Sequence, residues 1–126
     1  MWLVGAVAEF VEWLDCQKQR TQERVAAVVK LLERHGPALG RPYVDRISSS
    51  RINKLKELRA TSGSAVAVRI LFFFDSRRIA MLLVGGDKSG RWHQWYPQAI
   101  ALAEERAARH EMTLLLKHSN EGERPR

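Results

Sequence analysis

The spacing of hydrophobic positions changes along the chain, and each change marks an element. Residues 2–4 read as a brief strand. Val7, Phe10, Val11 and Leu14 then follow helical spacing, with Trp13 beside the stripe. A second helix is expected from Thr21, a good N-cap residue. Its face is Val25, Val28, Val29 and Leu32, at i, i+3, i+4 and i+7, and Gly36-Pro37 stops it. The two helices are expected to form an antiparallel pair. Residues 40–50, with Pro42 early and Ser48-Ser49-Ser50 late, read as a connection. Residues 53–59 are short and mixed, as in a partly exposed strand, and Ser62-Gly63-Ser64 make a turn. From Val66 to Phe74 the period is two. Val66, Val68, Ile70, Phe72 and Phe74 share one face, and Ala67, Arg69, Leu71 and Phe73 share the other.

A turn at residues 75–77 joins that strand to the apolar run 79–84, so the two are expected to pair as an antiparallel hairpin. Gly85-Gly86 is read as the end of the second strand and residues 87–91 as a polar loop. Pro97 is placed in the first turn of a final helix, which is marked by Ile100, Ala103, Ala107 and Leu114. Residues 119–126 are read as a flexible tail after a single domain spanning 1–118. The expected class is α+β: two N-terminal helices packed on a small antiparallel sheet, plus a C-terminal helix.

Charge sharpens this outline. The 126 residues include 21 Lys and Arg against 14 Asp and Glu, for a net charge of +7. Residues 1–50 are close to balanced and residues 92–126 are balanced. Residues 51–91 hold nine basic and three acidic side chains, a net of +6. So concentrated an excess reads either as a solvated face or as a surface for a polyanion such as nucleic acid. Cys16 is the only cysteine, so no intrachain disulfide can form, which suits a cytoplasmic protein. The apolar opening run soon meets Glu9, Glu12 and Asp15, so neither a signal peptide nor a membrane span is expected there.

The candidate chemistry gathers in the same stretch. Lys54, Lys56 and Arg59 lie on the first main strand, and Lys54 and Lys56, two apart, are expected to share a face. Arg69 sits in the middle of an apolar strand. That position is costly unless the arginine is paired, with Glu57 or Asp87, or lies on the floor of a wet groove. Lys88 and Arg91 follow the last strand, and Tyr96 precedes the final helix. Trp92, Trp95 and Tyr96 are packing groups or platforms on which an unpaired base can stack. The four histidines show no metal-ligand spacing and there is no phosphate-loop glycine pattern, so no metal or cofactor is expected.

Asn53-Lys54-Leu55-Lys56-Glu57-Leu58-Arg59, then Val68-Arg69-Ile70-Leu71-Phe72, then Leu82-Leu83-Val84-Gly85-Gly86-Asp87-Lys88, then Trp95-Tyr96 resemble the phage-derived branch of the RelE/HigB toxins. The run Gly36-Pro37-Ala38-Leu39-Gly40-Arg41-Pro42-Tyr43-Val44-Asp45 is similar to the connection in that branch. The resemblance extends in order from about Ala8 to about His110. It implies helices on one face of an antiparallel sheet and a basic cleft on the other. It also implies a toxin that enters the ribosomal A site, cuts messenger RNA there, and is neutralised by a cognate antitoxin, a small helix-turn-helix protein from the same operon.

Carried over by position, Lys54, Lys56, Arg59, Arg69, Lys88 and Tyr96 are the expected catalytic residues, and Arg51, Arg77, Arg78, Arg91 and Trp92 the expected RNA-binding ones. The implied reaction needs no metal. A ribose 2′-hydroxyl attacks the adjacent phosphorus, and fixed cations stabilise the charge that gathers on the phosphate oxygens. Arg69, Lys56 and Arg59 are assigned to the phosphate. Lys54 or Lys88 serves as base or acid, because crowded cations push one another towards neutrality. Tyr96 stacks on a base or donates a proton. The alternative is a non-catalytic RNA-binding or antitoxin-binding protein, such as a degenerate toxin or a phage factor.

Overall fold

The computed structural model describes residues 1–52, 54–60, 68–87 and 92–123; for 92, 93 and 119–123 it describes the backbone alone. Five strands form one sheet: β1 (Val4–Ala6), β2 (Val44–Arg46), β3 (Lys56–Arg59), β4 (Val68–Phe74) and β5 (Ala80–Asp87), in the order β1-β5-β4-β3-β2. The sheet is mixed rather than antiparallel throughout. β1 runs parallel to β5, whereas β2–β3, β3–β4 and β4–β5 are antiparallel. The helices are α1 (Ala8–Asp15), α2 (Gln19–His35) and α3 (Trp92–Glu123).

α2 buries Val25, Val28 and Leu32, the face that its spacing marks. It begins at Gln19 after Lys18, two residues before the expected Thr21, and no side chain caps its first turn. It ends at Gly36, whose φ of 55° favours glycine, and a Cβ there would overlap the Trp2 ring. β4 and β5 are the centre of the core. Val68, Ile70, Leu71, Phe72 and Leu83 are almost wholly buried, each such side chain contributing about 1.5–3 kcal/mol.

β5 does not end at Gly85-Gly86. It continues through both to Asp87 because the glycines are where the helices approach the strand. A Cβ at Gly85 would overlap Trp13 of α1, and a Cβ at Gly86 would overlap Trp95 of α3. Neighbouring strand residues point to opposite faces, so α1 and α3 lie on opposite sides of the sheet. The helices are therefore not confined to one face. Pro97 lies inside α3, which starts five residues before it, rather than in the first turn. α3 buries Ala99, Ala103 and Ala107 on the sheet. Arg106 donates to the Leu83 carbonyl (2.9 Å), and Arg109 pairs with Glu9 of α1 (2.6 Å). None of the described helices is long and apolar enough to cross a membrane.

Candidate RNA-cleavage site

Strand register decides which charged residues meet. Glu57 lies opposite Leu71 and Arg59 opposite Arg69, and Arg69 is in turn opposite Gly86, where Trp95 packs. Glu57, Arg59 and Arg69 therefore share the face that α3 covers. Glu57 is the hub. Arg59 Nε donates to its Oε2 (3.4 Å), Arg69 Nε lies 3.5 Å from its Oε1, and the Tyr96 hydroxyl donates to the same Oε1. Arg69 Nη1 also donates to the Val68 carbonyl (3.1 Å), and Arg59 Nη2 pairs with Asp45 of β2 (3.3 Å). Arg69 and Glu57 are buried, and Arg59 keeps a third of its side-chain surface. Trp95 packs edge-on to Tyr96, with ring centroids 4.9 Å apart. Burial and then the Glu57 carboxylate push the Tyr96 phenol well above its ordinary pKa, so at neutral pH Tyr96 is a hydrogen-bond donor rather than an acid.

Arg59, Arg69 and Tyr96 are thus brought together, and Arg69 is paired with Glu57, one of the two partners expected for it. Lys56 is not part of the cluster. Strand alternation turns it to the other face, where its Nζ lies 5.3 Å from the centre of the Phe74 ring. Burial first, and Arg46 second, lower its pKa. Lys54 does not share a face with Lys56, because β3 begins at Lys56 and Lys54 lies in the preceding turn. It instead lines a cleft of about 340 Å³ on the α3 side, with Ile52, Phe73, Ala107, Ala108 and Glu111. Arg51 is anchored to Glu104 of α3 (3.6 Å). Arg77 and Arg78 sit in the β4–β5 turn. Arg69 and that turn lie at opposite ends of β4, about 20 Å apart at strand rise. Lys88 and Arg91 lie outside the described residues, as does the side chain of Trp92.

Asp45 had no signal in the sequence, because β2 falls inside what reads as a connection. Glu57 did have one: a carboxylate two residues before Arg59 shares its face in any strand. A second polar cluster lies at the turn end of the same face. Asp75 has no exposed side-chain surface. It accepts from the Arg77 and Ile79 amides (2.8 and 3.0 Å), from the Arg77 guanidinium (2.8 and 3.1 Å) and from His110 Nε2 of α3 (2.9 Å). Burial raises the Asp75 pKa, but these donors outweigh it and leave the carboxyl below its ordinary value. Among the described residues, no three His, Cys, Asp or Glu side chains converge as a metal-binding set.

Residues 12–108 match the family described as "Phage derived protein Gp49-like". The chain belongs to this family. Two Mycobacterium tuberculosis (strain ATCC 25618 / H37Rv) proteins are similar to it. One, named "Putative toxin HigB2", is 47% identical over 98 residues, which cover 78% of this chain and 49% of that protein. The other, named "Putative toxin HigB3", is 42% identical over 95 residues, covering 75% of this chain and 81% of that protein. The chain thus spans about half the length of one relative and four fifths of the other. These findings support the phage-derived branch of the RelE/HigB group, the branch the sequence resembles.

Proposed function

We propose that this chain is the toxin of a toxin–antitoxin pair and a metal-independent endoribonuclease that cuts messenger RNA in the ribosomal A site, and that a cognate antitoxin neutralises it. The observation that carries this reading is the Glu57 hub. One carboxylate accepts a hydrogen bond from Arg59 Nε and forms an ion pair with Arg69, whose Nη1 is held by the Val68 carbonyl, so two guanidiniums are positioned before any substrate arrives. Preorganised donors of this kind stabilise developing phosphate charge without the cost of reorganisation, and each is worth about 2–4 kcal/mol.

In this reading Arg59, the more exposed of the two, meets the scissile phosphate first, and Arg69 supports the oxygens deeper in the face. Glu57 is a positioning residue. Tyr96 stays protonated and donates a hydrogen bond. Glu57 and Asp45 offset the charge of Arg59 and Arg69, so attraction of the polyanion falls to further cations. In the sequence Lys88 comes immediately after Asp87, which pairs with Val68 beside Arg69, and Arg91 comes three residues later. Lys88 is the proposed proton-transfer group, with Lys54 second. The products are a 2′,3′-cyclic phosphate and a 5′-hydroxyl.

The same near-neutral pairing also supports the alternative of a non-catalytic RNA- or antitoxin-binding protein, in which Glu57 and Arg69 only stabilise the sheet. Inducing the chain in growing cells and mapping message ends separates the two. The enzyme reading expects growth arrest and new 5′-hydroxyl ends within translated messages, both lost in Arg69→Ala. Arrest without cleavage, or no arrest, contradicts it.

A further inference from the structure

α3 is much longer than the sheet it covers. Its 32 residues span about 48 Å, against about 26 Å for the eight residues of β5. Among the described residues, the last side-chain hydrogen bond from α3 towards the sheet is that of His110 to Asp75 at the β4–β5 turn (2.9 Å). Beyond that clamp the helix carries Met112, Leu114, Leu115 and Leu116. Met112, Leu115 and Leu116 are 56%, 64% and 59% exposed. Three large apolar side chains, each more than half exposed within little over one helical turn, form the kind of patch that marks an interaction site.

Beside this patch is a groove of about 410 Å³ lined by Ser76, Arg77, Leu114, Leu115, Lys117 and His118. Among the described residues, none that lines it is acidic. Asp75 lies beneath, but it has no exposed surface and is occupied by Arg77 and His110. The groove therefore combines Leu114 and Leu115 with the Lys117 ammonium, the His118 imidazole and an Arg77 guanidinium already paired with Asp75. Among the described residues no Phe, Tyr or Trp lines it, and its one ring is the His118 imidazole, so it offers single-stranded RNA only a weak stacking platform. Leucines flanked by cations complement a helix that presents apolar side chains on one face and carboxylates beside them.

We infer that this groove docks an acidic amphipathic segment of the cognate antitoxin. The inference rests on the toxin reading and extends it by naming the surface. A segment seated here lies at the far end of β4 from Arg69, so it grips the chain without covering the Arg59–Arg69 cluster.

The test uses the full chain and, as probe, the purified antitoxin encoded beside it. Leu115→Glu/Lys117→Glu changes two exposed side chains that lie outside the proposed catalytic cluster. The double variant is expected to melt as the wild type does, to arrest growth as the wild type does, and to bind the antitoxin at least about tenfold more weakly. Co-expressed antitoxin then no longer restores growth. Lys117→Glu alone is expected to give a smaller loss that fades at high salt. Unchanged binding and rescue overturn the inference while leaving the toxin reading intact. So does loss of message cleavage in the variant, which gives the groove to RNA. So does wild-type self-association that the variant abolishes, which gives it to a second copy. A wild-type chain that neither arrests growth nor cleaves RNA overturns the toxin reading and the inference together.

Discussion

The two ends of the α3-covered face each hold a buried carboxylate with arginine, yet they are built for different work. At the turn end Asp75 is saturated: two backbone amides, one guanidinium and one imidazole converge on it, all from residues that fix the turn or fasten α3. At the other end Glu57 is shared between two arginines and a phenol drawn from β3, β4 and α3, and one of those arginines keeps solvent-facing surface. A carboxylate with every site filled locally is a fastening. A carboxylate that aims several donors, one of them towards solvent, is the arrangement a phosphate site needs. The difference lies in how donors are shared, since the residue types are nearly the same.

The largest expected effect is on stability at the turn end. Asp75→Asn leaves Arg77 and His110 without their anion and should cost about 2–4 kcal/mol in denaturant melts, while the fraction that stays folded is expected still to cleave RNA. A loss below about 1 kcal/mol would remove the distinction between the ends. Next is the hub. Arg69→Lys keeps a charge but loses the fixed guanidinium geometry, and single-turnover cleavage should fall roughly 30- to 1,000-fold. Gly86→Ala drives a Cβ into the Trp95 ring and should destabilise by about 1–3 kcal/mol, measured by thermal unfolding.

Acid should act on the turn end as well. The Asp75 pKa is depressed in the folded state, so its contribution is present above the ordinary carboxylate range and is lost as pH falls through the folded value. Stability measured from pH 6 down to pH 3 should drop less steeply in Asp75→Asn than in the wild type. The smallest effect is expected for Lys56→Met, on the opposite face: stability within about 1 kcal/mol, since the methylene stem still packs on Phe74, and cleavage within about threefold. A large catalytic loss there would return Lys56 to the site.

Much of this was legible from the residues. α2 and the β4–β5 hairpin announce themselves because their hydrophobic period runs for several repeats. β1 and β2, three residues each, are too short to show a period, and the parallel pairing of β1 depends on a partner more than seventy residues away. Gly85-Gly86 reads as a terminator because local sequence cannot show two tryptophans closing on a strand from both sides. In the candidate site, alternation alone separates Lys56 from Glu57 and Arg59, so the grouping of Lys56 with Arg59 fails on a rule available from the start. Asp45 could not be placed without β2. The pairing of Arg69 with Glu57 was foreseeable as one of two options, and only the register chose between them.

The most direct test of the account removes one guanidinium from each end. Single-turnover cleavage of a message on programmed ribosomes is measured for Arg59→Ala and Arg77→Ala, each normalised to its folded fraction. The account predicts a loss of at least about 30-fold for Arg59→Ala and a change within about threefold for Arg77→Ala. An Arg77→Ala loss equal to or greater than that of Arg59→Ala would contradict it and move the chemistry to the other end of the sheet.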